Sequence, residues 1–239
     1  MKHVLLIAYC LIANLAVIGA VLALLRSGLR RTRLSGGAQT RTVAVSAAVL
    51  FCWYVSISVL GLQGAFAATV ANVPVLPFGI VVPLGIGLWL FLRSESLKAA
   101  AAALPVSWLI GIQAYRVIGV AFLFVWISGE MPAEAAIPGG AGDILVGLLA
   151  IPAAMAVNKR LTGARSIAYG WNYLGILDFA TGIATGYLTS PGPLQLLALN
   201  HPNTMISHYP MVLFAVFAIP ISSVLHGVCL WRLGRETNS

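Results

Sequence analysis

Four ionisable side chains stand inside stretches that are otherwise apolar: Arg116, Asp143, Asp178 and His226. Gln113, Tyr115, Trp171 and Asn172 lie close to them along the chain, and Asp143 and Asp178 are the only aspartates in the sequence. Burying an ionisable group at the centre of a spanning helix costs about 2.5–3.5 kcal/mol on insertion scales, so such residues are functional candidates. An arginine and a carboxylate can neutralise each other in a low-dielectric bundle through charge-assisted hydrogen bonds. Two aspartates could also share a proton and activate water. The candidate binding set is therefore Arg116, Asp178, Asp143, Gln113, Tyr115, Asn172 and His226.

What positions these residues follows from composition. Of the 239 residues, 60% are hydrophobic and 8% charged, against about a quarter charged in a soluble domain. That fraction is too small to wet a soluble particle, but it suffices for the two ends of a bundle whose sides face lipid. The lipid bilayer is the expected partner; nucleic acid is not, although the net charge is +8. A spanning helix needs roughly 20 mainly apolar residues. Seven runs qualify, within a single transmembrane domain over residues 1–239: Val4–Leu25, Thr42–Leu62, Val73–Leu92, Val106–Ser128, Gly142–Asn158, Ile167–Leu188 and Pro210–Leu230. They are continuously apolar, unlike the alternating strands of an outer-membrane barrel. The fold expected is an all-α bundle of seven transmembrane helices.

Charge placement supplies the orientation. Twelve of the 14 Lys and Arg residues fall at alternate ends of the spans: Arg26 to Arg41, Arg93 and Lys98, Lys159 to Arg165, and Arg232 with Arg235. The positive-inside rule puts these ends in the cytoplasm, which gives an N-terminus outside and a C-terminus inside the plasma (inner) membrane. Lys2 precedes an apolar run too long for a cleaved signal and without a clear small-x-small site, so the first helix is expected to be retained. Arg116 is the one positive charge within a span, unexplained by orientation.

Depth follows from the same orientation. Arg116 lies about 18 Å, and Asp178 about 15 Å, below the outer end of its span, which makes them a depth-matched pair. Asp143 opens the fifth expected span near the outer face, where Arg116 could snorkel toward it. Asn172 and His226 share the inner half and are placed to hydrogen-bond. Gln113 precedes Arg116 by one turn on the same side. Glycines Gly139, Gly140, Gly142 and Gly147 surround Asp143, and Pro152 and Pro220 interrupt their helices; such features permit close approach and free carbonyls within a bundle.

The function these features point to is a carrier or binding protein for a small molecule or ion, with an intramembrane polar core. Three spans, one span and three spans resembles the topology of the SWEET sugar carriers, without similarity between the halves or their Pro-Gln signature. An alternative is a membrane-embedded enzyme. Gly140-Ala141-Gly142-Asp143 resembles the GxGD motif of the intramembrane aspartyl proteases, which implies Asp143 as a catalytic residue and Asp178 as its partner. In those families the other aspartate precedes the motif; here it follows, and the depth estimates separate the two. A third reading is a seven-helix sensor without retinal, since Lys2, Lys98 and Lys159 all lie at span ends and leave no lysine for a Schiff base. His208 and His226 are too far apart on one helix to ligate a haem. No cofactor is expected. A metal site from His201, His208, Glu130, Glu134 and Asp143 is not required by any spacing.

Overall fold

The computed structural model describes residues 2–69 and 75–235. Among the described residues every regular element is helical and there are no strands. Helix α1 (Lys2–Leu29) is followed by α2 (Gly36–Leu62), α3 (Leu76–Arg93) and the short α4 (Glu95–Ala103). The next rod is composite: α5 (Val106–Gly111), a 3-10 segment (Ile112–Gly119) and α6 (Val120–Ile127). The one after it joins α7 (Ala133–Ala136), a π segment (Ile137–Ala141) and α8 (Gly142–Asn158). Helix α9 (Ala164–Thr189) comes next, and a π segment (Phe214–Ala218) runs into α10 (Ile219–Arg235).

Six of these rods are long and apolar enough to cross a bilayer: α1, α2, α3, α5 through α6, α7 through α8, and the final rod. Helix α9 has the length, 26 residues, but carries Arg165, Asn172, Asp178 and three threonines, and it falls outside the six. Two boundaries differ from the sequence reading in ways that matter. The fifth rod begins at Ala133, not Gly142, because Pro132 starts a helix and the π segment carries it through Pro138 and the glycines. The third begins at Leu76; its expected start at Val73 lies outside the described residues.

Local chemistry explains the breaks. The Ser35 and Ser94 hydroxyls accept from the backbone N–H groups of Ala38 and Leu97, capping α2 and α4. Leu104 is held extended by the following Pro105, which ends α4. Gly163 adopts the left-handed conformation, φ 77°, that turns the chain from the α8 end into α9. Pro220 cannot donate to the carbonyl four residues back, and the turn before it is widened into the π segment.

The basic connections gather at one end. Arg31 stacks over the Trp108 ring at 4.3 Å, and Arg165 donates to the Leu233 carbonyl at 3.2 Å. At the opposite end, here the far end, the long connection after α9 folds back on the bundle, with the Asn203 N–H donating to the Thr189 carbonyl at 2.9 Å. Buried apolar residues form two clusters. One, including Phe122, Met131, Phe214 and Phe217, fills the far half; the other, including Phe91, Leu109, Ala150, Trp171 and Leu233, fills the basic half. The polar residues lie between them.

Candidate functional site

Arg116 sits in the middle of a rod that is not α-helical there. A 3-10 helix has 3.0 residues per turn, so side chains three apart eclipse. Gln113, Arg116 and Gly119 consequently stand in one row, and all three are buried. Eight residues is long for this conformation, which usually runs to three or four. Opposite the row, α8 approaches through Gly147, where a Cβ would lie 3.0 Å from the Val117 backbone nitrogen.

The arginine is 2% exposed and engaged on every side. Its Nε donates to Asp143 Oδ1 at 2.8 Å, and its Nη2 lies as close to the same oxygen. Nη2 also donates to Asp178 Oδ2. Nη1 contacts His226 Nε2 at 3.1 Å, and the guanidinium lies 3.8 Å above the centre of the Phe179 ring. A guanidinium can only donate, so His226 Nε2 must accept. The proton of a neutral imidazole then sits on Nδ1, which donates to Asn172 Oδ1 at 3.0 Å. Asn172 in turn donates to the Ala168 carbonyl at 2.8 Å and to Cys229 Sγ at 3.3 Å. The network thus runs from two carboxylates through a guanidinium, an imidazole and an amide, and it joins four rods.

Glycines make the approach possible. A Cβ at Gly142 would collide with Asp178 Oδ1, and one at Gly119 would lie 2.6 Å from the Asp143 Cβ. At Gly175 it would collide with the His226 ring and lie 3.0 Å from Arg116 Nη1. The glycines around Asp143 were visible in the sequence; Gly119 and Gly175 were not singled out. The signal for Gly175 is its place in a stripe with Asn172 and Phe179 at helical spacing.

The expected polar residues separate into two groups. Arg116, Asp143, Asp178, His226 and Asn172 form the network. Tyr115 points elsewhere, its hydroxyl 2.6 Å from that of Ser222 on α10. Gln113 is buried one turn from Arg116, and neither its amide nitrogen nor its oxygen has a hydrogen-bond partner. Arg116 does not choose between the aspartates but binds both. The depth separation of Asp143 and Asp178 is corrected by the same fact: with its rod starting at Ala133, Asp143 lies about 15 Å from the far end, level with Asp178. The candidate metal set does not assemble. Among the described residues no three His, Cys, Asp or Glu side chains gather where a metal ion could sit, and the His208 ring instead contacts the Thr204 carbonyl at 2.6 Å.

Asp143 and Asp178 also line a cavity of about 50 Å³ on the far side of the network. Its walls are mainly apolar, with Ile80, Phe122, Ile183 and Ile219 among them, and Ser190 and Asn203 also line it. Arg116, His226 and Asn172 are not part of its lining. The two carboxylates thus line the cavity, and the arginine that binds them is withdrawn from it.

No curated protein and no solved structure matches the chain. Residues 70–234 match a family described as a domain of unknown function (DUF8737), a stretch that includes every member of the network and leaves out α1 and α2. That match covers about two thirds of the sequence, and the chain belongs to the DUF8737 family.

Proposed function

We propose that this multi-pass membrane protein is a carrier or binding protein for a small molecule or ion, which docks on Asp143 and Asp178 in the far-end cavity. In this reading α9 also crosses the bilayer, giving seven spans with the N-terminus outside and the C-terminus in the cytoplasm of the plasma membrane. The observation that carries the function is the cavity floor: two carboxylates held by one buried guanidinium and open to a chamber inside an apolar bundle. Support for the seventh span comes from α9 packing its polar stripe inward, with Asn172 buried and Asp178 on Arg116. The positive-inside rule supports the orientation.

An aspartyl-protease-like reading gains the proximity of Asp143 and Asp178 but meets Arg116 between them. The guanidinium donates to both carboxylates and stands between them, whereas a water-activating pair shares a proton directly.

Two measurements test the proposal. Mass spectrometry of small molecules released from the purified protein should find one that is absent after Asp178→Asn. Uptake of that molecule into proteoliposomes should fall to background with Asp143→Asn and with Asp178→Asn; unchanged uptake in both variants would sink the polar-core reading. Reporter fusions at the two termini should report opposite sides of the membrane, and the same side for both would remove the seventh span.

A further inference from the structure

The charge and hydrogen-bonding pattern of the cavity floor restricts what can occupy it. We infer that the site takes a small organic ammonium ion with an apolar body; this rests on the binding function proposed above and names its ligand class.

The first argument is charge. His226 is held neutral by its contact with the donor-only Arg116 Nη1. One guanidinium then faces two carboxylates, and with both ionised the site carries one negative charge in excess within an apolar bundle. An unbalanced charge is expensive at that depth, and a cationic occupant removes the imbalance. An anionic one would worsen it, since Arg116 is already committed to Asp143, Asp178 and His226 and does not line the cavity.

The second argument is the direction of the hydrogen bonds. Ionised carboxylates only accept. Among the described residues Arg116 donates to Asp143 Oδ1 and Asp178 Oδ2, and Asp178 Oδ1 lies against Gly142; the side chains keep 16% and 11% of their exposure, in a cavity they line. A ligand with N–H donors suits these acceptors. A divalent metal ion does not fit as well: calcium takes six to eight oxygen ligands and magnesium six, and here two carboxylates face apolar walls.

The third is size and wall chemistry. A water needs roughly 10–15 Å³ of such space, so about 50 Å³ accommodates about four heavy atoms. Phe122, Ile183 and Ile219 suit a short alkyl body, and the ammonium head then meets the two aspartates.

The probe is propylammonium, with propan-1-ol and propionate as neutral and anionic matches, titrated calorimetrically into the purified full chain in nanodiscs. Propylammonium should bind saturably and the other two should not. Asp143→Asn and Asp178→Asn should each weaken it at least about tenfold, the loss of a charged hydrogen bond. Gly186→Leu provides a control on folding: a Cβ at Gly186 meets nothing within 4 Å, and the residue lines the cavity away from the ion network. That variant should keep the melting temperature and lose binding. Binding of propan-1-ol or propionate in place of propylammonium, abolished by Gly186→Leu, would overturn the cationic ligand and leave the binding function standing. Binding of none of the three would overturn the ammonium ligand, and the binding function would fall with it only if no co-purifying molecule is lost on Asp178→Asn.

Discussion

Helix α2 and the final rod have similar hydropathy, 2.2 and 1.8, yet 11% of the most apolar window is buried in the first and 67% in the second. Phe51 of α2 is 55% exposed, whereas Phe217 of the final rod is buried against Trp53 and Tyr54. The same overall apolarity therefore serves two purposes, one helix facing lipid and the other occupying the centre of the protein. What distinguishes them is where the polar atoms go. The final rod brings Ser222, His226 and Cys229 into contact with three neighbouring polar groups, while the α2 hydroxyls of Thr42 and Ser58 bond back to their own helix. In lipid, interhelical association relies on packing and polar contacts, not on hydrophobicity, so these contacts mark the centre of the bundle.

Substitutions can break or sharpen that contrast. The largest effect is expected from Arg116→Gln, which leaves two carboxylates buried without a counter-ion and should destabilise the protein by about 3–5 kcal/mol, read as a large fall in the melting temperature in detergent. Gly175→Ala comes next. Its methyl group would meet the His226 ring and push it from Arg116 Nη1, and overpacking of this kind costs about 1–3 kcal/mol; a melting temperature at the wild-type value would show that the helices can part at no cost. Tyr115→Phe removes one interhelical hydrogen bond, to Ser222, and thermal unfolding should register about 0.6 kcal/mol, the average for such bonds in a membrane. Phe51→Ala on α2 should change stability by no more than about 0.5 kcal/mol, as expected at an exposed position. A larger loss there would mean that α2 is covered by something other than lipid.

Much of the architecture was legible from the chain because lipid imposes strict terms. Every backbone group must be satisfied within the span, so continuous apolar runs become helices. The ionisable exceptions stood out for the same reason, and Arg116, Asp143, Asp178, His226 and Asn172 do converge. Gln113 and Tyr115 were chosen by proximity in sequence, which fixes the turn a residue sits on but not the neighbour it faces. The expected span starts at Gly142, which puts Asp143 near the outer face; the π segment Ile137–Ala141 instead carries the helix through Pro138, Gly139 and Gly140.

The sequence by itself determined that the protein is a helical membrane bundle and that Arg116 is an exception needing a counter-charge. Only the tertiary structure decided that this arginine holds both aspartates, that Gly119, Gly142 and Gly175 make room for them and for His226, and that the carboxylates face a cavity from which the arginine is withdrawn. The physical reason is that a span's composition reports its cost in lipid, which is a property of one helix. A hydrogen-bond network depends on helix rotation and separation, here set by a 3-10 segment, two π segments and a few missing methyl groups.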